Sequence, residues 1–145
     1  YGAGDWARIK GTLRYALYTV LFFSVVWTIS IWAIPNEFIR VFMAPTETVC
    51  QIAPSIMRRY GISFLLLPLN IFSTYYFQSL MKPSASFLVS VARGMVVSGI
   101  LIYALPALAG ADSIWFAMPI TELLVAIIVI ILMIRYTTNK KVQCV

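Results

Sequence analysis

The sequence predicts an all-α, polytopic membrane protein, and three observations predict it. Of the 145 residues, 61% are hydrophobic and only 11% are charged, where a soluble domain carries about 25% charged residues. Mean hydropathy is +0.90. Finally, four blocks carry one charge or none, and each is about the twenty residues that a helix needs to cross a bilayer. The solvent for most of this chain is lipid, or other transmembrane helices.

The first block runs about Tyr15 to Ile34 and holds no charge; Pro35 ends it, since proline cannot continue the hydrogen-bond ladder. The second, Gly61 to Leu80, is also uncharged and follows Arg58 and Arg59. Met81-Lys82-Pro83 is a tight break before the third block, and Pro83 with Ser84 suits a helix start. The third block, about Ser84 to Leu105, holds Arg93 and is closed by Pro106 and Gly110. Asp112 or Ser113 caps the fourth by accepting its orphan amide protons, and that block, about Ile114 to Ile134, holds Glu122. Four helices are therefore expected at about 6–34, 48–80, 84–105 and 113–136, in one unit spanning 1–145. The connector from Pro35 to Cys50 is half apolar and is expected in the headgroup zone.

Net charge is +6, but the basic residues flank apolar blocks, which marks topology signals and lipid contacts rather than a nucleic-acid surface. One side carries Arg8, Lys10, Arg14, Lys82, Arg135, Lys140 and Lys141; the other carries Arg40, Arg58 and Arg59. The richer side is predicted to be cytoplasmic, with both termini inside a cell inner (plasma) membrane. Trp32 and Trp115 then fall at the outer interface and Trp6 at the inner one. Cys50 and Cys144 fall on opposite faces, so no disulfide is expected. No signal peptide is visible. In the opening stretch, Trp6, Ile9 and Leu13 share a helical face turned from Arg8, Lys10 and Arg14. This reads as an interfacial helix bending into the first span, or as a solvated helix start with positive flanks.

No enzymatic constellation is present. His is absent, so a Ser or Cys nucleophile lacks its usual base. The GAG opening is not followed by a strand-turn-helix unit, and CxxC and HExxH spacings do not occur. Neither a metal centre nor a cofactor is expected.

What remains is polarity at membrane depth, which is costly and tends to be functional or paired. Arg93 lies nine residues past Ser84, about 14 Å from the inner face at 1.5 Å per residue. Glu122 lies eight past Ile114, about 12 Å from the outer face on the same rise. The two levels differ by only a few Å in a layer of about 30 Å. Three readings stay open: the two pair, or Glu122 faces a wet cavity and binds a cation, or Arg93 snorkels and Glu122 bonds to backbone or water. In the second block, Asn70, Ser73 or Thr74, and Gln78 recur on one helical side, which is expected to face protein or a water-filled cleft. Pro68 and Pro119 are read as kinks that free carbonyls near Phe64 and Trp115. They mark a moving, solvated pathway, or serve only to shape helix packing. Tyr75, Trp115 and their aromatic and Met neighbours offer faces for organic cations, or are core and lipid contact.

Three stretches carry a resemblance. YGAGDWARIKGTLRYAL resembles the cytoplasmic loop and ninth-helix start of the multidrug and toxic compound extrusion (MATE) family. FQSLMKPSASFLVSVARG is similar to its break between the tenth and eleventh helices, with Arg93 on the latter. ADSIWFAMPITELL is similar to its twelfth-helix start, where a tryptophan and a proline recur four residues apart, here Trp115 and Pro119. The resemblance implies the last four helices of a twelve-helix transporter of two six-helix lobes, with the first lobe and the start of the second lying in sequence outside this stretch. It also implies export of cationic or amphipathic small molecules in exchange for Na⁺ or H⁺. Some members carry an acidic residue in the tenth helix; here Asn70 is the nearest polar candidate, so Glu122 substitutes for it or coupling resides in the first lobe. The rivals are a lipid-linked oligosaccharide flippase, which needs a strongly cationic cleft, and a standalone four-helix assembly subunit. Asn70, Gln78 and Glu122 are further expected to need partners from outside the chain, so that it does not fold stably alone.

Overall fold

The computed structural model describes residues 6–138, with the side chains of Trp6, Ala7 and Thr138 left aside. The expectations for the GAG opening, the Trp6 side chain, Lys140, Lys141 and Cys144 therefore concern positions outside the described residues.

Among the described residues every regular element is helical. α1 spans Trp6–Ala33, α2 Pro35–Phe42 and α3 Glu47–Gly61; a 3-10 turn at Ile62–Leu65 leads into α4, Leu67–Ser79. α5, Pro83–Val91, passes through a π-helical segment, Ala92–Val97, into α6, Ser98–Ala109. A 3-10 segment, Ala111–Phe116, opens onto α7, Ala117–Thr138. Three rods are long and apolar enough to cross a membrane: Arg8–Ala33, Pro83–Ala109 and Ala111–Thr137. The second block does not form such a rod. Its helix breaks at 62–66, and the 13 residues of α4 cover only about 20 Å at 1.5 Å per residue.

The breaks follow from the sequence. Pro68 is the second residue of α4, so its missing N–H falls where a helix needs no donor, and the chain changes helix type just before it. Pro119 is likewise the third residue of α7 rather than an interior kink. Pro35 opens α2 directly after α1 ends, turning part of the expected 35–50 connector into a short helix that buries Pro35 and Ile39. Pro106 does not close the third helix; it sits inside α6, which runs on to Ala109 until Gly110, at φ 83°, turns the chain. Neither Asp112 nor Ser113 caps the fourth helix, because the chain starts it as a 3-10 segment and Ser113 Oγ instead donates to the Gly110 carbonyl at 2.6 Å.

The α4–α5 turn is a Schellman closure: Lys82 N–H donates to Phe77 O at 2.9 Å and Met81 N–H to Gln78 O at 3.0 Å. Met81 occupies the left-handed position at φ 57°, where glycine is usual. α1 is one unbroken helix rather than an interfacial piece bent into a span, since nothing between Lys10 and Tyr15 interrupts its ladder. Its amphipathic start survives in altered form: Ile9 and Leu13 are half-buried while Arg8, Lys10 and Arg14 are exposed.

The core sits between α4, α5 and α7, with Tyr76, Phe77, Leu80, Ala85, Val89, Val125, Val129 and Met133 in one cluster. Leu13 and Leu17 of α1 pack on it. Gly61 lets α3 approach α1, for a Cβ there would lie 2.9 Å from Ile31 Cγ2. At that end Trp32 Nε1 donates to the Arg58 carbonyl at 3.1 Å, and the Arg59 guanidinium lies 5.8 Å from the Phe116 ring centre. At the opposite end Tyr76 Oη and Thr137 Oγ1 share a hydrogen bond of 2.6 Å. Arg58 and Arg59 thus sit at the end of the bundle that holds Trp32 and Phe116, away from the Tyr76–Thr137 end. Outward faces stay apolar, with Phe22, Trp27, Phe87, Tyr103, Leu108 and Ile131 all exposed. Such a surface needs lipid or further helices to cover it.

Candidate functional site

The site is a polar seam between the start of α4, the π segment and α7. Glu122, on α7, is fully buried. Asn70 Nδ2, also fully buried, donates to Glu122 Oε2 at 2.6 Å and to the Glu122 backbone carbonyl at 2.9 Å. Arg93 Nη1 lies 3.6 Å from Glu122 Oε1, with the arginine side chain 30% exposed and the glutamate 0%. The level argument is thus met: Arg93 and Glu122 pair. The distance exceeds the usual hydrogen-bond range, so the contact is coulombic. Consistent with that, Glu122 Oε1 and Asn70 Oδ1 are buried and make no hydrogen bond.

Local structure sets this geometry. The 3-10 turn at Ile62–Leu65 and the Leu66 junction start α4 so that Asn70 N–H bonds the Leu66 carbonyl at 3.1 Å while its side chain faces α7. The π segment widens the rod at Arg93, with Gly94 beside it. π segments inside longer helices are frequent at functional sites.

The other expected site residues divide. Ser73 Oγ and Thr74 Oγ1 both donate to the Asn70 backbone carbonyl, at 2.6 and 3.2 Å, so their protons serve the local chain rather than a cleft. Gln78 is largely exposed, and its Nε2 donates to Ser86 Oγ at 3.2 Å, tying α4 to α5. Tyr75 is 65% exposed and turned away from the seam. Trp115 is half-buried in the 3-10 segment, about two turns before Glu122. Asn70, Gln78 and Glu122 each find one partner inside the chain, while Asn70 Oδ1 and Glu122 Oε1 keep no hydrogen-bond partner among the described residues.

Sequence reasoning did not single out Tyr76–Thr137, or the buried hydroxyls of Ser24 and Thr28, which make no hydrogen bond. The i, i+4 spacing of Ser24 and Thr28 on an otherwise apolar helix was the available signal. A recess of about 380 Å³ lies between α1, α2 and α3 and is lined by Trp27, Phe38, Phe42, Met57, Tyr60 and Phe64 among others. No cluster of three His, Cys, Asp or Glu side chains able to hold a metal occurs among the described residues. Cys50 is free and exposed.

The family comparison bears directly on this arrangement. The MatE family model matches residues 1–104. The chain belongs to the MatE family. The match takes in α1 to α5, the π segment and the first part of α6. It therefore includes Asn70 and Arg93, whereas Glu122 lies beyond it. No curated protein and no solved structure matches the chain. MatE membership implies a transport function in general.

Proposed function

We propose that this MatE chain forms the last helices of the second lobe of a secondary active multidrug antiporter, exporting cationic or amphipathic molecules in exchange for Na⁺ or H⁺. The first lobe and the opening helices of the second would come from sequence outside this stretch. Transport would proceed by alternating access, one lobe rocking against the other. Both ends of the stretch would face the cytoplasm, at the end of the bundle holding Arg14, Lys82 and Arg135, with lipid covering the apolar flanks.

One observation carries the reading: a fully buried carboxylate, Glu122, has one oxygen held by Asn70 and the other facing Arg93 without a hydrogen bond. An ionisable group at such depth is expensive unless used. A cation reaching the seam would meet an oxygen, Glu122 Oε1, that no hydrogen-bond donor occupies. The same geometry disfavours the flippase reading, because the one arginine at this depth is matched by a carboxylate and leaves no cationic cleft for a pyrophosphate.

The test is efflux of a fluorescent cationic dye from cells expressing the full-length protein. Glu122→Gln and Asn70→Ala are expected to reduce efflux at least tenfold at equal membrane abundance. Unchanged efflux in both removes the site, and no efflux by wild type removes the drug-export reading.

A further inference from the structure

The geometry points to a lipid site at the Arg58 end of the bundle: a groove between α1 and the 3-10 turn at Ile62–Leu65 seats one acyl chain of an anionic phospholipid, with the headgroup phosphate at the Arg58 guanidinium. The groove shares no residue with the Glu122 seam, and its occupancy does not depend on what the protein transports.

The groove, of about 420 Å³, is lined by Thr28, Ile29, Trp32 and Ala33 of α1 and by Ile62 and Leu65 of the 3-10 turn. Its larger apolar walls, Ile29, Trp32, Ile62 and Leu65, are all exposed. A cavity of about 150 Å³ takes a benzene ring, so this space suits a longer hydrocarbon. Arg58, Ile62 and Leu65 recur at i, i+4 and i+7, which puts them on one helical face. Trp32 Nε1 donates to the Arg58 carbonyl at 3.1 Å and so sets the ends of the two walls side by side. From there the groove runs inward past Ile62 to Leu65, seven residues on from Arg58 and thus about 10 Å at 1.5 Å per residue. That is a third of a hydrocarbon layer of about 30 Å. A further transmembrane helix would need a seam along the whole rod, whereas a chain hung from a headgroup needs only part of one leaflet.

Charge selects the headgroup. Tryptophan indoles gather at the level of lipid headgroups, and the Trp32 bond places Arg58 at that level. Of the three arginines near this end, Arg40 pairs with Glu37 at 3.2 Å and Arg59 lies over the Phe116 ring. Arg58 is exposed, and its guanidinium has no partner among the described residues. A guanidinium presents a planar fork of donors that matches a phosphate. An anionic phospholipid offers that phosphate alone, whereas phosphatidylcholine carries a cation of its own that competes with the arginine. Apolar walls below and one uncommitted arginine above therefore match the two halves of such a lipid.

The test uses purified full-length protein in maltoside micelles, with the thermal unfolding midpoint followed as phosphatidylglycerol or phosphatidylcholine is added. Phosphatidylglycerol is expected to raise the wild-type midpoint at a lower mole fraction than phosphatidylcholine does. Arg58→Gln is expected to raise the half-maximal phosphatidylglycerol fraction about fivefold, the worth of one basic residue at an anionic surface. Ala33→Trp fills the groove and keeps every charge, and is expected to raise that fraction at least as much. Arg40→Gln changes a charge outside the groove and is expected to leave it within twofold. A wild type with no preference for phosphatidylglycerol overturns the proposal, as when another helix of the full-length protein covers the groove. Equal losses in Arg40→Gln and Arg58→Gln overturn it in favour of general surface charge. A wild-type response in Ala33→Trp shows that no chain enters the groove and overturns it too. If Ala33→Trp does not fold, Ile29→Trp, at a position 61% exposed, decides by the same criterion.

Discussion

α4 and α7 meet twice, and the two meetings are built from opposite materials. Toward their C-terminal ends Phe77 packs with Val125, Val129 and Met133, and its ring stands edge-on to Tyr136 at 5.9 Å. Toward their N-terminal ends Asn70, Glu122 and Arg93 meet through two hydrogen bonds from the Asn70 amide and one long ion pair. The apolar seam is closed on itself: Phe77, Val125 and Val129 are fully buried. In the polar seam two oxygens remain without donors. Interlocking apolar side chains resist small displacement, since dense packing admits few alternatives. An incompletely bonded polar contact has other arrangements of similar energy. The difference teaches that one pair of helices can serve as a weld at one end and as an adjustable contact at the other.

The comparison breaks first at Phe77. Phe77→Ala is expected to cost about 3–5 kcal/mol of stability, as for other large aromatic truncations in packed cores, read as a lower unfolding midpoint in detergent. Efflux per folded molecule should persist, and a loss of efflux at full stability would mean that the apolar seam also moves. Arg93→Gln comes next, at about 2–3 kcal/mol, below the range for a wholly buried pair because Arg93 is partly exposed. Adding Glu122→Gln is expected to restore most of that loss, measurable as a double-mutant cycle. Asn70→Ala removes a donor shared by two buried acceptors of Glu122 and is expected to cost about 1–3 kcal/mol. Away from both seams, Gly61→Ala is expected to cost about 1–2 kcal/mol, because the new Cβ would meet a stiff, β-branched Ile31 at 2.9 Å. Smallest is a gain: Met81→Gly relieves a left-handed φ of 57° and is expected to raise stability by about 0.5–1 kcal/mol.

The sequence made the helical architecture legible because long uncharged tracts leave the chain few choices. It also placed Arg93 and Glu122 at a common depth, since rise per residue converts position into height. Helix breaks were harder to read. Proline marks an interruption, but whether the chain kinks or restarts depends on what packs beside it. At Pro68 and Pro119 it restarts, and at Pro106 it continues. The polar row of the second block was visible as a row, yet its members part ways in space. Ser73 and Thr74 turn back to the Asn70 carbonyl and Gln78 reaches Ser86. Short hydroxyl side chains can bond their own backbone, and periodicity alone does not register that competition. The π segment at Arg93 had no sequence signal beyond the neighbouring Gly94.

The most direct measurement is the efflux rate and unfolding midpoint of the full-length Arg93→Gln/Glu122→Gln variant beside wild type. Both charges are gone and both shapes are nearly kept. A stable protein that no longer exports a cationic dye is the predicted result. A stable protein that exports dye at the wild-type rate would show that the buried pair only holds helices together, and would contradict the account.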